Sequence, residues 1–267
     1  MRRVPAYWGV WWLGQELGRQ MDTVSFLEVD ICHDRARALF FFSTVLAFQM
    51  AMSFVLVGLL SCLDALYFAR LLPASVARYR MVGHRPPAPH TLGRMAAVVA
   101  RNQILSGLTI LAFVRWAGPY LPGPPAFRDR DLEGSAPPTW LMSLAYAGLF
   151  EIVFYAGHRL LHAYSCLGHA LHHQTHTDSA VTFGYMGLVD YTLETTLPAL
   201  APLYVVGVHV PAYMGFLAVG LFNAILVHSG WDFPYLASPR RHSIHHTRPT
   251  KNLGNGPLDL VFGTAAS

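Results

Sequence analysis

The 267 residues read as an all-α, multi-pass membrane helical bundle with about four to five membrane helices or hairpins and a cytoplasm-facing, histidine-rich di-metal site. Three observations carry this reading. Hydrophobic residues make up 53% of the chain and charged residues only 13%, where a soluble globular chain carries roughly 25% charge. Uncharged apolar runs reach the roughly 20 residues that one helical crossing needs. Ten of the fourteen histidines fall in two short windows, 158–176 and 228–246. Disorder, a secreted disulfide scaffold and an ordinary soluble enzyme are excluded by the same numbers. The net charge of +4 is nearly all arginine, Lys251 being the only lysine. These arginines sit in loops between apolar spans, so they report topology rather than a nucleic-acid stripe. Cys32, Cys62 and Cys166 have no paired spacing, which indicates neither a disulfide framework nor a thiolate zinc site.

Taken in order, residues 1–38 mix aromatics (Tyr7, Trp8, Trp11, Trp12) with balanced charge and read as an interfacial segment with tryptophans at headgroup level. Residues 39–267 read as a single membrane-embedded catalytic domain. The first span is Leu39 to Cys62, stopped by Asp64. A basic loop follows, with Arg70, Arg78, Arg80, Arg85 and Arg94 and no acid, broken by Pro-Pro-Ala-Pro. The second span is Met95 to Ala117, with Arg101 near enough to its start to snorkel. A Pro/Gly-rich, slightly acidic loop leads to the third span, Pro138 to Gly157, interrupted by Glu151. The last apolar stretch, Thr195 to Val227, would measure roughly 50 Å as one helix at 1.5 Å per residue, which suits a two-helix hairpin better. By the positive-inside rule the basic loop faces the cytoplasm. His158 and His228 then fall on that same side.

Within the histidine windows the spacings are helical. His158-Arg-Leu-Leu-His162 sets two imidazoles one turn apart on one face. His169, His172 and His173 stand at i, i+3 and i+4, convergent on one face, and His242, His245 and His246 repeat that pattern. His228 stands alone at the end of the hairpin. Imidazole is the commonest protein ligand for zinc, copper, iron and nickel. Eight histidines in three boxes, plus His228, exceed what one ion can use, so the count favours two metals in one cage. The Glu-x-x-His pairs of soluble di-iron bundles are missing, and Arg159 rules out a His-Glu-x-x-His peptidase. Spacing leaves the identity of the metal open.

The wider pattern resembles the fatty acid hydroxylase/sterol desaturase superfamily of membrane di-iron oxygenases. Glu151 and Tyr155 lead into the first box as in its E-x-x-x-Y-x-x-H-R-x-x-H stretch. His228-Ser-Gly-Trp-Asp-Phe-Pro234 is similar to the H-S-G-[YW]-D-F-P of the sterol C4-methyl oxidase and cholesterol 25-hydroxylase branch. Asn252-Leu-Gly254 and Asp259-Leu-Val-Phe-Gly-Thr264 resemble the N-Y-G and D-x-x-F-G-T after the third box. The resemblance covers roughly residues 95–264. It implies a monooxygenase with two irons that oxidises, hydroxylates or desaturates a C–H position of a sterol or fatty-acyl lipid with O2. It also implies electrons from NAD(P)H through a reductase, with cytochrome b5 as a further donor, and the endoplasmic reticulum as location in a eukaryote. The departures concern the substrate: Ala163-Tyr-Ser-Cys-Leu-Gly168 between the first two boxes, the extra His176, Leu253 in place of tyrosine, and a short linker from Pro234 to His242.

Around the boxes, Glu151 is expected to accept a hydrogen bond from a ligand imidazole, the alternative being a helix-end carboxylate that reaches water. Tyr155 is grouped with it at the catalytic site but reads as a packing or belt aromatic rather than a proton donor. Asp190 and Glu194 either hold ligand N–H groups or cap a helix. Asp232 and Arg241 are expected to pair, Asn223 to hydrogen-bond within the hairpin, and Cys166 to be a small apolar filler. His33, His84, His90 and His209 are structural. Two other readings stand beside the first: the same fold acting on a secondary metabolite, and a zinc-loaded non-redox hydrolase or metal transporter. Transporters hold their ligands near mid-bilayer, whereas these lie at span ends.

Overall fold

In the computed structural model of the chain the described residues are 10–13, 15–16, 35–81, 88–116, 139–175, 179–206 and 210–267. Most of segment 1–38, His33, His84, His176, His209, residues 82–87 of the basic loop and the whole of the acidic loop at 118–137 lie outside them. The described residues are helical without a named strand. An isolated antiparallel bridge joins Arg80 and Trp231.

Three helices are long and apolar enough to cross a membrane, and each exceeds its predicted span. α1 (Arg35–Phe68) runs past Asp64, which does not stop it, because the carboxylate is buried and paired rather than solvated. α2 (Pro89–Trp116) begins on the last proline of the Pro-Pro-Ala-Pro break, a residue whose fixed φ and missing N–H suit a first helical turn. α3 (Thr139–Ala163) continues past Gly157 through both histidines of the first box. The apolar run ends where polar side chains begin, but the backbone ladder does not. Their outer faces carry exposed Phe54, Leu59, Leu108, Leu144 and Ile152, as lipid-facing helices do.

The predicted hairpin is present as α4 (Leu197–Val206) and α5 (Val210–Val227). α4 packs chiefly against α3, and α1 against α2 and α5. A core of Phe41, Phe42, Val45, Met142, Tyr146, Leu203, Tyr213 and Met214 closes one end of the bundle. A second, of Met95, Val99, Val181, Phe183 and Ile225, includes the turns that follow the histidine boxes. The C-terminal ends of α1, α3 and α5 lie together, since Asp64 of α1 bonds Trp231 just past α5. There the chain folds into short pieces: 3-10 turns at His169–Gln174 and Ala180–Gly184, a π turn at Thr192–Thr196, α6 (Pro239–Thr247) and α7 (Pro257–Val261).

A candidate metal centre of nine histidines

All nine histidines singled out in the sequence meet at this end of the bundle. They form two groups. His158, His162, His169, His173 and His245 present one nitrogen each within 4.8 Å of one another, and so do His172, His228, His242 and His246. The division differs from the expectation that each box serves one face. Members at i and i+4 (158/162, 169/173, 242/246) share a group. The i+3 members, His172 and His245, cross to the other.

The ring nitrogens converge at ligand distances. In the five-histidine group, His158 Nε2 lies 3.2 Å from His169 Nε2, His169 Nε2 3.1 Å from His173 Nε2, and His162 Nε2 3.2 Å from His245 Nε2. In the four-histidine group the Nε2–Nε2 separations are 2.8 Å for His228–His242, 3.0 Å for His242–His246 and 3.3 Å for His172–His228. Nitrogens about 2.0–2.1 Å from one ion in octahedral or tetrahedral array would stand about 2.9–3.4 Å apart. The tautomers fit as well. His158 Nδ1 donates to Leu253 O (2.8 Å), His245 Nδ1 to Lys251 O (2.8 Å), His228 Nδ1 to Ala224 O (2.6 Å) and His169 Nδ1 to Asp190 Oδ1 (2.9 Å). In the neutral ring each of these leaves Nε2 a bare lone pair. His158 and His169 therefore aim two lone pairs at each other across 3.2 Å. Two acceptors that close repel unless a cation sits between them.

Burial keeps the cage unprotonated. His173 and His228 are lowered to about 4, His245 to about 3 and His246 to about 2, in each case first by burial. His172 and His242 are also held well below the ordinary value by burial and then by neighbouring imidazoles, His228 foremost. Neutral imidazole is the form that binds metal. On the other side of His169, Asp190 and Glu194 are both buried, with Glu194 Oε2 3.7 Å from His169 Nδ1. Burial, and then Asp190, raise Glu194 well above the usual carboxylate range. Of the two roles open to Asp190, the structure shows the hydrogen bond to a cage imidazole.

Several supporting residues take other places than expected. Glu151 bonds no histidine among the described residues. It accepts from Asn255 N (3.0 Å) and Asn255 Nδ2 (2.8 Å), because the loop after the third box reaches back along α3 and covers it. Tyr155, assigned with Glu151 to the catalytic site, takes the packing role read for it from the sequence: it stacks on Phe262, places its hydroxyl 3.2 Å from Thr264 Oγ1 and clamps the C-terminal segment. Arg241 pairs with Asp259, while Asp232 pairs with Arg240. Cys166 is exposed, not a filler.

The residues that sequence reasoning missed are mostly backbone carbonyls, and their frame is the stretch 251–264. Asp259 accepts from Leu253 N (2.8 Å), Gly254 N (3.0 Å) and Thr264 Oγ1 (2.6 Å). Asn252, at φ 53°, takes Ala266 N on its side-chain oxygen and donates to Arg241 O. This small platform aims Lys251 O and Leu253 O at His245 and His158. The motifs Asn252-Leu-Gly254 and Asp259…Thr264 were its visible signal.

Residues 143–264 match the fatty acid hydroxylase family. The chain is 29% identical over 203 residues to a fatty acid hydroxylase domain-containing protein of Macaca fascicularis, covering 72% of this chain and 58% of that one. It is 26% identical over 200 residues to a fatty acid hydroxylase of Mycosarcoma maydis, covering 72% and 50%. Over 106 residues it is 29% identical to an ornithine lipid hydroxylase of Rhizobium tropici, covering 37% and 32%. The chain thus spans about half the length of the first two of these relatives. No solved structure matches it.

Proposed function

We propose that the protein, whose residues 143–264 match the fatty acid hydroxylase family, is a membrane-bound, non-haem di-iron oxidoreductase. It oxidises a C–H position of a sterol or fatty-acyl lipid with O2, taking reducing equivalents from NAD(P)H through a reductase or cytochrome b5-type donor on the cytoplasmic side. The observation that carries this reading is the division of nine histidines, six of them buried and three half-buried, into two groups with Nε2 atoms about one ligand edge apart. His158, His162, His169, His173 and His245 would hold one iron; His172, His228, His242 and His246 would hold the other. Bound there, iron would supply the O2 activation and redox capacity that no side chain has. The protein's own part is separate. Four fixed Nδ1–H bonds hold the imidazoles in the binding tautomer. Burial keeps water and protons from the ligand nitrogens, and the flanking apolar helices give a lipid lateral access from the bilayer.

The test is metal analysis of protein purified without chelators or added zinc, followed by oxygen uptake with a reductant and lipid extract. About two irons per chain, with extract-dependent oxygen consumption and an oxygenated or dehydrogenated lipid product, is the expected outcome. A tightly held complement of zinc without oxygen uptake would return the non-redox reading.

A further inference from the structure

The segment after α5 that carries His228 is gripped by residues from outside the matched domain. Asp64, near the end of α1, and Arg80, in the connection after it, are 5% and 3% exposed. Arg80 Nε lies 2.9 Å from Asp64 Oδ1. That same oxygen accepts from Trp231 Nε1 at 2.9 Å, and Arg80 Nη1 donates to Gly230 O at 3.0 Å. The backbones join too: Met81 N donates to Gly230 O (3.0 Å) and Asp232 N to Tyr79 O (2.8 Å). Trp231, fully buried, lies against Tyr67 and Phe233, with the Arg80 guanidinium 5.7 Å from its ring.

This arrangement is costly as mere glue. A buried ion pair is often no more stable than apolar residues of the same volume, and its best-attested use is to fix a register. Here the register fixed is that of a turn, His228 to Gly230, with Gly230 at φ 73°. Past His228 the turn is held by this lock together with Ser229, whose hydroxyl donates to Leu226 O (2.7 Å) and accepts from Trp231 N (3.2 Å). His228 Nε2 sits 2.8 Å from His242 Nε2 and 3.3 Å from His172 Nε2, at the centre of the four-histidine group. No member of the five-histidine group lies in this turn.

We infer that Asp64, Arg80 and Trp231 are positioning residues for His228, which set the affinity of the four-histidine site while leaving the five-histidine site to the platform at 251–264. The inference rests on the dinuclear reading above. Loss of a group that orients a metal ligand typically costs 10- to 100-fold in affinity, so the lock should be felt at one site of the two.

The experiment is chelator competition with cobalt(II) on the full-length chain in detergent, counting ions per chain and following the cobalt absorption bands. Wild type should show two binding steps. Asp64→Asn, which keeps size and an acceptor for Trp231 but leaves Arg80 without its counter-charge, should weaken one step by about 10-fold or more and leave the other within about 2-fold. Trp231→Phe, which removes only the N–H and keeps a packed ring, should weaken the same step if Asp64→Asn does not fold. His228→Ala should abolish that step, identifying it. If both steps shift equally in Asp64→Asn or Trp231→Phe, or neither does, the lock is general scaffolding and the inference falls. A wild-type chain that binds fewer than two ions fails the dinuclear reading itself. That result comes from wild type alone and is distinct from the variants' failure.

Discussion

Asp190 shows how much a single side chain in this site is asked to do. It is fully buried and accepts from His169 Nδ1 at 2.9 Å, which leaves His169 Nε2 as a lone pair toward His158 and His173. Asparagine in its place still offers an oxygen, but with half the pull and with an amide that can turn its donors toward the ring. We expect Asp190→Asn to fold and to lose about 10- to 100-fold in metal affinity or turnover, measured by metal titration alongside a steady-state assay. Asp232→Asn is the control. Its partner Arg240 is 69% exposed, and a surface pair is worth at most about 1 kcal/mol, so activity should stay near wild type. Nothing in the local sequence separated these aspartates from Glu151, which had the stronger motif. Spacing names residue types that share a helical face. It does not say which partner a folded-back loop will bring, and the loop at 252–255 claimed Glu151.

At the level of the element, the π turn at Thr192–Thr196 packs its backbone directly on α3. A Cβ placed on Gly157 would stand 2.8 Å from Leu193 O, a backbone atom that cannot swing aside. Gly157→Ala should therefore push α3 and the π turn apart beside His158 and Glu194, costing about 1–3 kcal/mol. Gly148→Ala, on the same helix where the space is open, should be neutral or stabilise by up to about 1 kcal/mol through helix propensity. Thermal unfolding of the two variants in one detergent distinguishes them. The helices themselves were legible, because long apolar runs leave few alternatives in a bilayer. The π turn was not, since one extra residue per turn leaves no compositional trace. The 3-10 geometry of His169–Gln174 escaped for the same reason. It is not what divides the box between two groups, since His242, His245 and His246 divide the same way on the α-helix α6.

Across the whole molecule, the buried imidazoles tie stability to pH. His173 and His228 near 4, His245 near 3 and His246 near 2 in the folded chain compare with about 6.5 when unfolded. Below 6.5 the unfolded chain takes up protons that the folded chain refuses, so stability falls as pH falls. It is whole above about pH 6.5 and declines through 4 and below. The metal-free protein should thus unfold at progressively lower temperature between pH 7 and pH 4.5, and the metal-loaded protein should resist until protons displace the ions. A metal-free unfolding temperature that is flat over this range would mean the cage opens to water when empty. The large-scale plan was the part best read from sequence. The meeting of the nine histidines at one end of the bundle and the hairpin that ends at His228 were foreseen, because each rests on periodicity or length. The grip of α1 on Trp231 was not, since Asp64 and Trp231 stand 167 residues apart and no local pattern links them.

The crossing of His172 and His245 between groups has a consequence in the language of polymer rings. His172 meets His228 across 56 residues, and His162 meets His245 across 83. An ion bound at each junction would close a loop that encloses the entire α4–α5 hairpin. Cross-links over loops of that length reduce the freedom of the unfolded chain by about 4–5 kcal/mol apiece in the chain-entropy treatment. The metals would then be staples as well as reagents: the same two ions that serve the chemistry would hold a membrane hairpin in its ring.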